Sequence, residues 1–194
     1  AYRIARFVLA NDRPGGLDLG ELESLAVSPD DPVSRQISAQ SHPDLLVLRR
    51  ELNPETGKPR TEIRVDDMRR TVNFFGSTAA LGGFRVAIVD SAEELNKNSA
   101  NALLKVLEEP PQLSLLIIVS HAPGRLLPTI RSRCRRISLR PLTAEDVGRA
   151  LEDIAESDPE FPRDEIADAA AACGGSVRHA LQLLLGEGLE VRNI

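Results

Sequence analysis

Arg85-Val86-Ala87-Ile88-Val89-Asp90 is the stretch from which the fold can be read. Four consecutive apolar residues leave no polar face, so the run predicts a strand covered on both sides, as inside a parallel sheet. Downstream, Lys97 to Glu108 places Ala100, Leu103, Leu104 and Leu107 at i, i+3, i+4 and i+7, one apolar stripe of a helix. Pro110 and Pro111 end that helix, because proline has no N–H to donate to it. Leu115-Leu116-Ile117-Ile118-Val119 predicts a second buried strand, and Arg136-Ile137-Ser138-Leu139 a shorter one. Strands alternating with helices in this order predict an α/β fold built on a parallel sheet.

Upstream, Asp44-Leu45-Leu46-Val47-Leu48 is a short apolar run, and the turn residues Asn53-Pro54-Glu55-Thr56-Gly57 separate it from Thr61 to Val65, a strand and hairpin pattern. Asp66 is placed to cap a helix with Met68, Val72 and Phe75 on its buried face and Gly76 at its end. Tyr2 to Leu9 has helical apolar spacing. Asn11 to Ser41 is rich in Asp, Pro, Gly and Ser and reads mostly as loop, with a short helix at Leu19 to Val27.

Beyond Pro141 the pattern becomes purely helical. Thr143 and Asp146 form a capping-box pair ahead of the stripe Val147, Ala150, Leu151 and Ile154. Asp164 opens a second helix carrying Ile166, Ala169, Ala170 and Cys173, closed by Gly174 and Gly175. Ser176 caps a third built on Val177, Ala180, Leu181 and Leu184. The expected division is an α/β domain over residues 1–140 and a small helical domain over residues 141–194.

Composition narrows the function classes. The 194 residues hold 24 Lys and Arg against 29 Asp and Glu, a net charge of −5, so the surface as a whole is not built for nucleic acid. Positive charge is local: Arg131, Arg133, Arg135, Arg136 and Arg140 crowd together. The two cysteines, Cys134 and Cys173, lie in unrelated contexts, which predicts neither a zinc site nor a disulfide framework. No segment reaches the roughly 20 apolar residues of a membrane span, no signal peptide is evident, and a cytoplasmic protein is expected. With no initiator methionine, the sequence reads as beginning partway through a longer one.

Three strings occur in order: Val89-Asp90-Ser91-Ala92-Glu93-Glu94-Leu95-Asn96 leading to Asn101-Ala102-Leu103-Leu104-Lys105-Val106-Leu107-Glu108-Glu109-Pro110-Pro111; Pro128-Thr129-Ile130-Arg131-Ser132-Arg133-Cys134; and Gly175-Ser176-Val177-Arg178-His179-Ala180-Leu181. Together, over roughly residues 42 to 185, they closely resemble the clamp-loader branch of the AAA+ ATPases, and within it the delta-prime class of bacterial DNA polymerase III subunits.

That resemblance implies a RecA-like AAA+ sheet lacking its N-terminal P-loop portion, followed by a helical lid. Asp90 matches the Walker B aspartate. Read alone, it caps the following turn. Ser91 stands where hydrolytic members carry a glutamate, Glu93 and Glu94 are displaced and expected to be solvated, and Gly57-Lys58 is a turn rather than a P-loop. The resemblance therefore points away from ATP hydrolysis at this chain's own site. Ser132-Arg133-Cys134 matches the arginine-finger motif, so Arg133 would act in trans on ATP and magnesium held by a neighbouring subunit. Without that motif, the basic run reads as a solvated patch or a phosphate contact. Ser120 fills the sensor-1 position and Arg178 the sensor-2 position; the plain readings are a turn serine and a surface arginine. No four-cysteine zinc module lies in residues 11 to 41, and His42 is read as structural.

The implied role is that of a stator and finger donor in ATP-dependent loading of a sliding clamp onto primer-template DNA. Its partners would be gamma/tau-type and delta subunits, with no membrane involved. The alternatives are a hydrolytic gamma/tau-type ATPase subunit and a nucleic-acid-binding module centred on the arginine run.

Overall fold

A computed structural model describes residues 1–13, 16–17, 24–77, 79–156, 158 and 161–186. The chain forms two compact units, Ala1–Arg136 and Ile137–Ile194.

In the first unit, α1 (Tyr2–Ala10) leads through the antiparallel pair β1 (Asp12–Arg13) and β2 (Gly16–Leu17) to α2 (Pro32–Ser38). The expected helix at Leu19 to Val27 lies largely outside the described residues, and its described end, Ser24 to Val27, is not helical. Helix α2 was not foreseen. Its signal is the pair Asp31-Pro32: the Asp31 carboxylate accepts from Val33 N at 2.8 Å, and proline occupies the first turn, where no N–H is required.

Strands β3 (Leu45–Leu48), β4 (Arg85–Val89) and β5 (Ser114–Ile118) form a parallel sheet in the order β3-β4-β5, with Leu48 opposite Val89 and Val89 opposite Ile118. Every residue of β4 is buried. Its side chains alternate between two apolar layers, as the pleat requires. Val86 and Ile88 pack with Ala5, Val8, Leu9 and Ile37 from α1 and α2. Ala87 and Val89 face the opposite layer, with Met68 and Phe75 of α3 (Val65–Gly76) and Leu103 and Val106 of α4 (Lys97–Glu108). The continuous apolar run therefore means what it was read to mean, a strand with helices on both faces.

Three expectations are corrected. The hairpin reduces to one bridge, Leu52 to Pro59, and Thr61 to Arg64 forms no strand. The turn survives, with Asn53 N donating to Lys58 O at 2.8 Å, but Pro59 cannot extend a ladder and only Ile63 of the following segment enters the core. Helix α3 is capped at Arg64, whose N–H donates to Asp67 at 3.0 Å, and it buries Met68, Thr71 and Phe75 while Val72 stays exposed. Arg136 to Leu139 is not a strand: Ile137 and Leu139 are 70% and 89% exposed. Alternation encodes a half-buried strand only where a neighbour offers a ladder, and no described strand pairs with this one.

Two polar ties fix the entrance to β4. Arg85, 9% exposed, donates to the carbonyls of Phe74 and Ser77 at the C-terminus of α3, where a cation is favoured. Hydrogen bonds to a charged group of this kind contribute about 1.5–3 kcal/mol. Asp12 accepts from Phe84 N, and a Cβ on Gly83 would lie 1.6 Å from an Asp12 carboxylate oxygen, so a larger residue there would have to displace the Asp12 side chain. At the start of β3, buried Asp44 accepts from Ala80 N and Leu81 N at 2.8 and 3.0 Å.

The second unit packs α6 (Ala144–Glu156), α7 (Ile166–Ala172) and α8 (Val177–Leu185) around Val147, Leu151, Phe161, Ile166 and Ala180, while α5 (Pro128–Arg131) belongs to the first unit. Thr143 Oγ1 accepts from Asp146 N at 3.1 Å and donates to the Asp146 carboxylate at 2.8 Å, and Ser176 caps α8, both as expected. Asp164 lies in a single 3₁₀ turn ahead of α7.

Gly175, at φ +80°, is required twice over, because a Cβ there would meet Leu142 O at 2.5 Å and Pro141 Cβ at 2.7 Å. Gly175→Ala is expected to cost on the order of 1–3 kcal/mol in urea denaturation. Gly174→Ala, at φ +63° with open space around it, should cost less.

His42, 5% exposed, supplies a second test. Its Nδ1 accepts from Asp44 N at 3.1 Å, so the neutral ring carries its proton on Nε2, and protonating Nδ1 would destroy that contact. Burial lowers its pKa below the ordinary value of 6.5, against the opposing pull of Asp44. Its contribution to stability is therefore complete above that value and declines as pH falls through it, when the unfolded chain takes up the proton first. Denaturation midpoints should drop between pH 7.5 and 5.5, and His42→Asn should flatten that drop.

Candidate functional site

Because β3, β4 and β5 run parallel, their carboxyl ends open on one edge, the place where open α/β sheets bind ligands. Asp90 lies there. Its N–H donates to Leu48 O at 2.8 Å, and Val119 N donates to Val89 O at 2.9 Å, so the loops leaving all three strands are tied together. Burial raises the Tyr2 phenol above its ordinary pKa; Arg49 lowers it and Asp90 raises it further. Ser91 Oγ lies 3.4 Å from Asp90 Oδ1.

Ser120 follows the end of the neighbouring strand, with its hydroxyl accepting from Ala122 N at 3.3 Å. The two acidic residues expected to be solvated are instead engaged. Glu93 Oε1 accepts from His121 N at 2.9 Å, clasping the loop after β4 to the loop after β5. Burial pushes its carboxyl upward, and the N–H groups of Glu93 and His121 outweigh this and hold it below the ordinary range. Glu94 pairs with Arg50 Nε at 2.7 Å, while its backbone carbonyl accepts from Ile63 N at 2.8 Å. Their displacement from the position next to Asp90 was legible in the sequence. Their partners were not, since these lie far off along the chain.

Arg133 is built on a short scaffold. Pro128 starts α5, and Ile130, 2% exposed, anchors it in the cluster containing Leu103. Arg133 N donates to Ile130 O at 3.1 Å. The guanidinium reaches back to Thr129 O with Nη1 at 3.1 Å and sits 3.0 Å from Glu108 Oε1 through Nη2, its side chain 37% exposed. Glu108 is a participant that the sequence reading missed, because its only visible feature was its place in the last turn of α4. Arg131, Arg135, Arg136 and Arg140 are exposed. Cys134 is partly buried against the same cluster, and burial raises its thiol pKa. Arg178 lies exposed in the first turn of α8, in the other unit.

Asp90, Ser91 and Ser120 thus share adjacent strand ends, whereas Arg133 stands in the turn just after α5. Next to Asp90 the chain carries the hydroxyl of Ser91 rather than a second carboxylate.

A family model described as "DNA polymerase III, delta subunit" matches residues 26–143. The chain is 43% identical over 153 residues to DNA polymerase III subunit delta' of Pseudomonas aeruginosa, covering 79% of this chain and 44% of that one. To the subunit delta' of Escherichia coli K12 it is 30% identical over 191 residues, covering 98% of this chain and 52% of that one. The chain spans about half the length, or less, of these relatives. Among solved structures, the Thermotoga maritima RuvB Holliday junction branch migration motor matches with a TM-score of 0.53 at 19% identity, over 78% of this chain and 47% of that one, a likeness of fold alone. With the family pattern running from residue 26 to residue 143 across the parallel sheet that carries Asp90, the chain belongs to the DNA polymerase III delta-subunit family.

Proposed function

We propose that this chain works as a delta-prime-type subunit of a bacterial clamp loader, a stator that lends Arg133 to the ATP site of an adjacent subunit. The observation that carries the reading is the presentation of Arg133: a partly exposed side chain held on a buried anchor by two contacts, in a family whose members are DNA polymerase III subunits. Transfer of a γ-phosphoryl group spreads negative charge over its oxygens, and a guanidinium brought in from a neighbour stabilises that charge. Arginine suits the task because it never loses its charge and offers donors in a fixed fork. Ser91 beside Asp90 supports the complementary half of the role, a subunit that does not itself hydrolyse.

In this reading the subunit seated against Arg133 is of gamma/tau type and holds the ATP and magnesium. A delta subunit completes the assembly, and the sliding clamp and primer-template DNA are what it acts on. Asp90 is a retained Walker B-like residue, with Ser120 as its sensor-1 counterpart. Arg178 corresponds to sensor 2 and couples the helical unit to nucleotide state.

The test is DNA-stimulated ATP turnover by the assembled loader containing the full-length chain. Arg133→Ala should lower turnover at the served site by about tenfold or more. Arg133→Lys should not restore it, because an ammonium lacks the planar fork. Undiminished turnover with Arg133→Ala removes the trans role.

A further inference from the structure

The contact between Arg133 and Glu108 has a consequence for that site. Glu108 is the last residue of α4, a helix fixed by buried Ala100, Leu103 and Val106 and followed by Pro110 and Pro111. Thr129, the second anchor, belongs to α5, which is pinned by Ile130. The guanidinium is therefore held by its own segment, through the carbonyl of Thr129 at 3.1 Å, and by a separate helix, through Oε1 of Glu108 at 3.0 Å.

Such an arrangement does little for folding. The two side chains are 37% and 50% exposed, and a pair this open to water adds little to stability. Nor does it use up the arginine. A guanidinium has more N–H donors than these two contacts require, and the others stay available to phosphate oxygens. What the contacts do is remove rotamer freedom before a partner arrives, so that less is lost when the arginine docks.

From this geometry we infer that Glu108 is a positioning residue for Arg133, holding the guanidinium ready for the phosphate of a nucleotide bound by a neighbouring subunit. The inference rests on the trans role proposed above. The rival reading is restraint, in which the carboxylate competes with phosphate and holds the finger back. The two readings give opposite signs.

The experiment uses the full-length chain in the assembled loader, with kcat and KM for ATP measured under DNA stimulation and thermal melting measured on each variant. Glu108→Ala should lower kcat about tenfold with KM and melting temperature unchanged, since only the orientation of a reacting-site group is lost. Glu108→Gln keeps an acceptor oxygen and should recover most of the rate. In the Arg133→Ala background, Glu108→Ala should have no further effect, because the pair acts as one unit.

Wild-type or raised kcat for Glu108→Ala, a Gln variant no better than Ala, or additive losses in the double variant would each overturn the positioning role while Arg133→Ala still lost turnover. If Arg133→Ala alone left turnover intact, the trans role itself would fall and this inference with it.

Discussion

Everything in the first unit follows from the enclosure of Arg85–Val89, buried on both faces and paired along both edges. A backbone held that way has no free N–H or C=O to offer until it leaves the sheet. The first residue at which polar chemistry becomes possible is Asp90, and its position is set by the ladder rather than by any local preference of the loop. The same enclosure requires apolar cover from two helical layers, which brings α1 and α2 to one face and α3 and α4 to the other. The Glu93 clasp and the Arg50–Glu94 pair then tie the loops that emerge.

Helix α4 connects the two ends of this chemistry. At its start, the Asn96 side chain accepts from Ser99 N at 2.9 Å, and the buried Ser99 hydroxyl donates to Ile63 O at 2.8 Å. That bond fastens the segment after the 53–58 turn against the body of the unit. At its far end, Glu108 meets Arg133. One helix thus runs from the loop after Asp90 to the arginine that follows α5, with Ala100 and Leu103 holding it in the core.

Period and punctuation made most of this legible in advance. The runs at 45–48, 86–89 and 115–119 are apolar throughout and strand-like in length, and the stripe from Ala100 to Leu107 ends at two prolines, so the type of each element was legible. What failed were patterns whose meaning depends on a partner. Ile137 and Leu139 alternate as a strand does, yet alternation carries no information about whether a ladder lies alongside. On α3 the buried face takes Thr71 rather than Val72 between Met68 and Phe75, a choice between i+3 and i+4 that periodicity leaves open. At the site, motif order singles out Asp90, Ser91, Ser120, Arg133 and Arg178 only as candidates. The contacts made by Glu93, Glu94 and Glu108 join residues remote in sequence, and a lone carboxylate says nothing about which cation or N–H it will find.

The exposed stretch from Arg135 to Arg140 has one more consequence. Ile137 and Leu139 are exposed and pair with no strand among the described residues, the kind of segment along which two copies of a protein add to each other and begin to aggregate. Arg135, Arg136 and Arg140 flank it with like charge, so bringing two such segments into register sets cation against cation. The like charges thus oppose self-association along this stretch, and a variant stripped of them loses that repulsion.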